Sequence, residues 1–203
     1  METPKSDLLV VGGGPVGLTL ALGLAQAGHG VRMLDAGTDP RLPGTPRPAR
    51  STALMPLSQE TLSRVGVWQD VQHLGAPLHK LRLIDDQAER WTRPVIEEFS
   101  AKEVADTPFG HNVVNADLMD ALLERAEAQP GLSLHFGAGV TDWKPGEVTL
   151  SDGVVMGADI IFDAAGRHSP IPKRAGIGIT DHRPNQVALV CQVAHSIDHE
   201  GVS

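Results

Sequence analysis

The 203 residues carry a formal net charge of -8, with 41% hydrophobic and 21% charged positions, enough apolar content to bury one or two cores. That acidity disfavours nonspecific binding to nucleic acid, which needs a surplus of Lys and Arg on one face, and an aromatic content of 3% with no Tyr leaves few platforms for stacked bases. No apolar run approaches the roughly 20 residues of a membrane helix, the N-terminus lacks a signal-peptide layout, and the lone Cys191 excludes an internal disulfide, so a cytoplasmic protein without a transmembrane segment is expected.

Leu8 to Val11 is a short apolar run closed by three glycines, which predicts a strand buried on both faces, as in a parallel sheet. Pro15 suits the first turn of a following helix, in which Val16, Leu20 and Leu24 form one apolar stripe widened by Leu18, Leu22 and Ala25, with Gly28 ending it. Val31 to Leu34 predicts a second strand running into Asp35, so strand, glycine turn, helix and strand fit within about 30 residues, the size of one βαβ unit.

Residues 37–50 hold four prolines and three arginines and predict an extended loop. Within it Arg41 and Arg47 read as solvated charge. A helix resumes near Ser58, with Leu62 and Val65 inside and Gly66 at its end, and Lys80 to Ile84 alternates as a strand does. Asn115 is expected to cap a helix carrying Leu118, Met119, Leu122, Leu123 and Ala126, until Pro130 and Gly131 stop it.

Leu132 to Phe136, Val140 to Trp143, Glu147 to Leu150 and Val154 to Met156 predict a small β-meander. Asp159 to Phe162 is expected as a further buried strand leading into the turn AAGRHS. Val187 to Val193 closes the pattern as an apolar strand with Cys191 buried inside it. The nine histidines are scattered and none forms an H-E-x-x-H pair, so no metal site is expected.

The stretch GGGPVG, residues Gly12, Gly13, Gly14, Pro15, Val16 and Gly17, places its glycines at G-x-G-x-x-G spacing. The first permits a tight turn, the second lets a pyrophosphate approach the backbone, and the third lets helix and strand pack closely. The helix N-terminus then offers unpaired N–H groups to phosphate. Asp35 follows 23 residues after Gly12, where a carboxylate can accept hydrogen bonds from ribose hydroxyls and would repel a ribose 2′-phosphate. After it, the Pro/Arg loop takes the place of a prompt second βα repeat, and it could bring Arg50 back toward the pyrophosphate.

Taken in order, LLVVGGGPVGLTLALGLAQAGHGVRMLDAG, RSTALMPLSQETLSRVGVW, NVVNADLMDALLERA, ADIIFDAAGRHS with RAGI, and QVALVCQVAHSIDHEG resemble the FAD-dependent aromatic-ring monooxygenases, in particular the branch of ubiquinone-biosynthesis hydroxylases. The resemblance implies FAD as cofactor, NAD(P)H as co-substrate and a small aromatic substrate hydroxylated with oxygen. It also implies Arg50 beside the FAD pyrophosphate or ribityl chain, the Val140 backbone near the adenine, and Gly166 in a second phosphate-side turn. That turn departs from the family's usual Gly-Ala-Asp-Gly-x-x-Ser: Ala165 stands where an Asp is customary, with Asp163 nearby as a substitute. Nothing after Ser169 matches the family's Gly-Asp-Ala-Ala-His segment, so the chain reads as a fragment or truncated product, inactive alone.

The expected fold is α/β: a Rossmann-like FAD-binding domain with a β-meander, over residues 1–70 and 111–180, and part of an inserted β-rich substrate domain over 71–110 and 181–203. The cofactor carries the chemistry, so no catalytic acid or base is assigned. Another flavin-dependent oxidoreductase on the same scaffold, an isoprenoid reductase or a halogenase, stays open, as does a non-catalytic nucleotide-binding fragment. A peripheral membrane contact or a homo-oligomer is compatible with the sequence.

Overall fold

The computed structural model describes residues 5–47, 49–85, 95–182, 184–187, 189, 191, 193–194, 196–197, 199 and 201–203. Its opening unit is the one expected: β1 (Lys5–Val11), α1 (Pro15–Gln26) and β2 (Val31–Leu34). β3 (Ser51–Leu54), α2 (Pro56–Arg64), α3 (Trp68–Val71), β4 (Ala76–Leu78), β5 (Lys80–Asp85) and β6 (Val95–Ser100) follow. Next come β7 (Gly110–Val114), α4 (Asn115–Ala128) and β8 (Leu132–His135). β9 (Val140–Lys144), β10 (Glu147–Leu150), β11 (Val155–Asp163) and the short α5 (Ile171–Arg174) complete the set.

The main sheet has six strands in the order β8-β2-β1-β11-β10-β9. Its first four are parallel neighbours, and β10 and β9 add antiparallel ladders at one edge. β1 lies inside the sheet, and its apolar run is explained by a core on each face. On one side Leu8 and Val10 meet Leu18, Ala21, Leu22 and Ala25 of α1 and Leu118, Leu122 and Leu123 of α4. On the other, Leu9 and Val11 meet Val148, Leu150 and Ile171.

Several expectations are corrected by this packing. The buried face of α1 is Leu18, Ala21, Leu22 and Ala25, whereas Val16 is 74% exposed. Leu20 and Leu24 stay half-buried at the edge of that core, and with Val16 they also line an apolar groove of about 690 Å³ shared with Thr52, Leu54, Leu62 and Val65. β8 leaves the meander and pairs in parallel with β2 at the far edge, because α4 carries the chain across the sheet before it. The runs 154–156 and 159–162 fuse into the single strand β11, since Gly157 pairs with both Lys5 and Glu147 and Ala158 with Ser6, leaving no turn between them. Asn115 is the first helical residue and not the cap: its N–H donates to the Arg50 carbonyl, and its Oδ1 accepts from the Thr52 hydroxyl at 2.6 Å.

The 187–193 stretch is corrected as well: its described residues 187, 189, 191 and 193 are not in strand conformation, and 188, 190 and 192 lie outside the described residues. A strand needs a neighbour to take its hydrogen bonds, and here Val187 is 90% and Leu189 93% exposed, with Cys191 exposed beside them.

Two smaller sheets accompany the main one. β7 pairs with β3 on one side and β4 on the other, which sets Thr52 of β3 beside Asn115, the first residue of α4. β5 and β6 form a separate antiparallel pair, and Ser203 docks on the free edge of β5, donating to the Lys80 carbonyl and accepting from Arg82. Among the described residues no helix is long and apolar enough to cross a membrane.

Candidate functional site

The glycine loop is built by three different constraints. Gly12 has φ +109°, a left-handed value, and a Cβ there would lie 2.4 Å from the Ala164 carbonyl oxygen, so the loop rests directly on the chain leaving β11. At Gly17 a Cβ would lie 1.8 Å from the carbonyl oxygen of Gly12, so only a bare glycine lets α1 approach β1 this closely. A Cβ on Gly14 would meet nothing within 4 Å. The loop is thus closed beneath and open above.

That open side is the N-terminus of α1. Gly14 is the N-cap, Pro15 holds the first helical position, and the first turn has neither a capping side chain nor an acidic residue. The first N–H groups of a helix have no intrahelical partner, and the helix dipole adds positive potential, so this end can hold an anion.

Asp35 closes the loop from the side. Its Oδ2 accepts from the Gly13 N–H at 2.6 Å and its Oδ1 from the Gly37 N–H at 2.7 Å. A Cβ on Gly13 would come within 3.0 Å of the Asp35 Cβ, so the bare glycine is what lets the carboxylate reach the loop backbone. The carbonyl of Asp35 accepts from Ala138, and that of Gly37 accepts from Gly137, both at 2.8 Å. Gly139 lies against Ala36, and Val140 begins β9 directly after it. The sequence offered a trace of this second wall in the glycines of FGAGV, but nothing in it named the partner strand.

The other expected site residues fall around this centre. Gly166 has φ +74° and opens a short 3-10 turn two residues after Ala164, close to the floor of the glycine loop. Within that turn Asp163 Oδ1 accepts from the Ala165 N–H at 3.1 Å, so this carboxylate shapes the backbone where the customary Asp is missing. Arg50 is exposed and lies just before β3, whose Thr52 shares the groove with Pro15 and Val16. Gly12 to Gly17 and Asp35 are brought together, Val140 follows Gly139 where it lies against Ala36, and Arg50 sits just before β3 with its carbonyl accepting from Asn115.

Arg41 and Arg47 are not free loop charges. Arg41 pairs with Asp39 and with Glu127 of α4, and Arg47 pairs with Asp120 of α4. The Arg41 guanidinium bonded to Asp39 holds that carboxyl below its ordinary range, and the same bond, with Glu127, raises Arg41 further. Among the described residues no three of His, Cys, Asp and Glu gather closely enough to hold a metal ion.

The donors and spaces fit an adenine dinucleotide: a cradle open at Gly14, a helix terminus facing it and an acceptor carboxylate beside it. Comparison with known proteins agrees. The chain is similar to ubiquinone hydroxylase UbiL of Rhodospirillum rubrum, 33% identical over 201 residues covering 97% of this chain and 45% of the relative. It is also similar to 3-demethoxyubiquinol 3-hydroxylase of Escherichia coli, 31% identical over 88% of this chain and 46% of the relative. In fold it is similar to a fourfold-substituted mutant of PqsL of P. aeruginosa, with a TM-score of 0.69, 21% identity and coverage of 89% of this chain and 48% of that one. The chain spans about half the length of the curated relatives it matches. Residues 5–198 match the family described as FAD binding domain, and the chain belongs to that family.

Proposed function

We propose that this chain supplies the FAD-binding half of a monooxygenase that uses NAD(P)H and oxygen to hydroxylate an electron-rich aromatic ring. The observation that carries the proposal is the glycine loop closed beneath by Ala164, bound laterally by Asp35 and open at Gly14. In this assignment Gly12, Gly13, Gly14, Pro15, Val16 and Gly17 surround the pyrophosphate, Asp35 accepts from the ribose hydroxyls, and Arg50 neutralises phosphate charge. The Val140 backbone borders the adenine, and Gly166 belongs to the second phosphate-side turn. Bound flavin supplies the redox chemistry, and the protein supplies orientation and exclusion of water.

The main sheet with α1 and α4 forms the cofactor domain, and the β5–β6 pair belongs to a substrate domain. The names of the relatives, a ubiquinone hydroxylase and a 3-demethoxyubiquinol 3-hydroxylase, support the aromatic substrate class. Calorimetric titration with FAD and ADP tests the nucleotide assignment, which fails if Gly14→Val binds as well as wild type. The reaction class is tested on a polypeptide of the relatives' full length that carries these residues, supplied with isotopically heavy dioxygen. Heavy oxygen in the product ring supports hydroxylation, and label-free product overturns it.

A further inference from the structure

The loop between Asp35 and β3 is tied along the whole of α4. Its anchors run in reverse order: Arg41 pairs with Glu127, Arg47 with Asp120 at 2.5 Å, and the Arg50 carbonyl accepts from the Asn115 N–H at 2.8 Å. The loop therefore travels antiparallel to the helix, from its last turn to its first residue. Twelve residues of helix span about 18 Å, and nine residues of extended chain reach about 30 Å. The slack is taken up in two turns, where Leu42 N–H donates to the Asp39 carbonyl and Thr45 N–H to that of Leu42.

Arg41 is the firmer anchor. Its Nε and Nη2 donate to the two oxygens of Asp39 at 2.9 and 2.6 Å, its own N–H donates to Oδ1 at 3.0 Å, and its Nη1 remains for Glu127. The bidentate pair fixes the plane of the guanidinium, which a lysine could not do.

We propose that Arg41 and Arg47 are positioning residues for nucleotide binding: their ion pairs to α4 hold both ends of the loop, Asp35 and Gly37 at one and Arg50 at the other, in the arrangement the cofactor meets. The proposal rests on the FAD assignment above. Partly exposed ion pairs contribute little to global stability, so their effect belongs to the loop and not to the melting temperature.

The test is the double variant Glu127→Arg with Asp120→Arg, which sets like charges against Arg41 and Arg47 and leaves the Arg41–Asp39 pair in place, together with the chain that also carries Arg47→Glu and so restores the second pair. In the free double variant, amide hydrogen exchange of the 36–50 segment is expected to quicken. ADP affinity is expected to fall by about three- to tenfold, with the melting temperature nearly unchanged, and the chain with the second pair restored should recover part of each loss. Unchanged exchange and affinity overturn the proposal, as does a loss that tracks a large fall in melting temperature. Wild type that binds no ADP, while the exchange difference persists, overturns the FAD assignment and the positioning role with it.

Discussion

The Gly13 N–H donates to Oδ2 of Asp35 across 2.6 Å, so the carboxylate assigned to the ribose also holds the phosphate-side loop. Asp35→Ala is therefore expected to weaken ADP by about 1–3 kcal/mol, the range for hydrogen bonds to a charged group. Asp35→Asn should lose as much, since an amide nitrogen turned toward Gly13 or Gly37 would oppose a donor with a donor. In calorimetric competition, 2′-phospho-ADP should bind far more weakly than ADP to wild type. Equal competition would show that Asp35 does not face the ribose.

The three motif glycines should fail differently. Gly14→Val adds its side chain to open space, so the melting temperature should hold while ADP binding falls sharply. Gly17→Ala drives a methyl to 1.8 Å from the Gly12 carbonyl and should destabilise the fold itself. Thermal melts beside binding isotherms separate the two, and a Gly14→Val chain that unfolds would contradict the open cradle.

Leu122 is fully buried where α1, α4 and the sheet meet. Its truncation to Ala should cost about 2–5 kcal/mol, the usual loss for a buried Leu. Urea unfolding that shows less than 1 kcal/mol, on the order of a surface change, would argue that α4 is not packed as described.

The Arg41 side-chain bond to Asp39 lowers the folded-state value of that carboxyl from its ordinary 3.8. A depressed carboxyl contributes stability that is complete above the unfolded value and is lost as pH falls through the folded one. The Arg41 amide, which donates to Asp39 Oδ1, should therefore keep a constant chemical shift from pH 8 down to about 5 and move only below about 4. A midpoint at or above the ordinary 3.8 would mean the pair is not formed in solution.

The β5–β6 pair exposes Leu81, Leu83, Val95 and Phe99 together, with Leu83 at 54%. A two-stranded sheet with an uncovered apolar face is a site of association. Sedimentation should show concentration-dependent self-association that Leu81→Lys with Leu83→Lys reduces. Identical behaviour of both chains would place the contact elsewhere.

Much of the opening unit could be read from sequence because its determinants are local: glycine spacing, a proline at the first turn and an acid after β2. The strand 80–84 and the helix beginning at Asn115 were readable for the same reason. What escaped depends on partners far along the chain. Leu132 to His135 carries no mark that it pairs with β2 and not with Val140, and Arg41 carries none that Glu127 awaits it. Val16, Leu20 and Leu24 follow helical spacing faithfully, yet the centre of the buried face, Leu18, Ala21 and Leu22, lies nearly half a turn away. The stretch 51–54 was missed because four residues with three exposed show too little alternation to announce a strand.

The parallel ladder between β1 and β11 sets an order of events during synthesis. Lys5 pairs with Gly157, some 150 residues later, and Gly12 rests on Ala164. At about 5–20 residues per second, β1 waits roughly 8–30 s on the ribosome for that neighbour. The βαβ unit that carries the recognisable motif is therefore made well before the strand that completes its sheet. A nascent chain halted before residue 155 would expose the glycine loop without its floor, and cofactor capture would have to follow translation of β11.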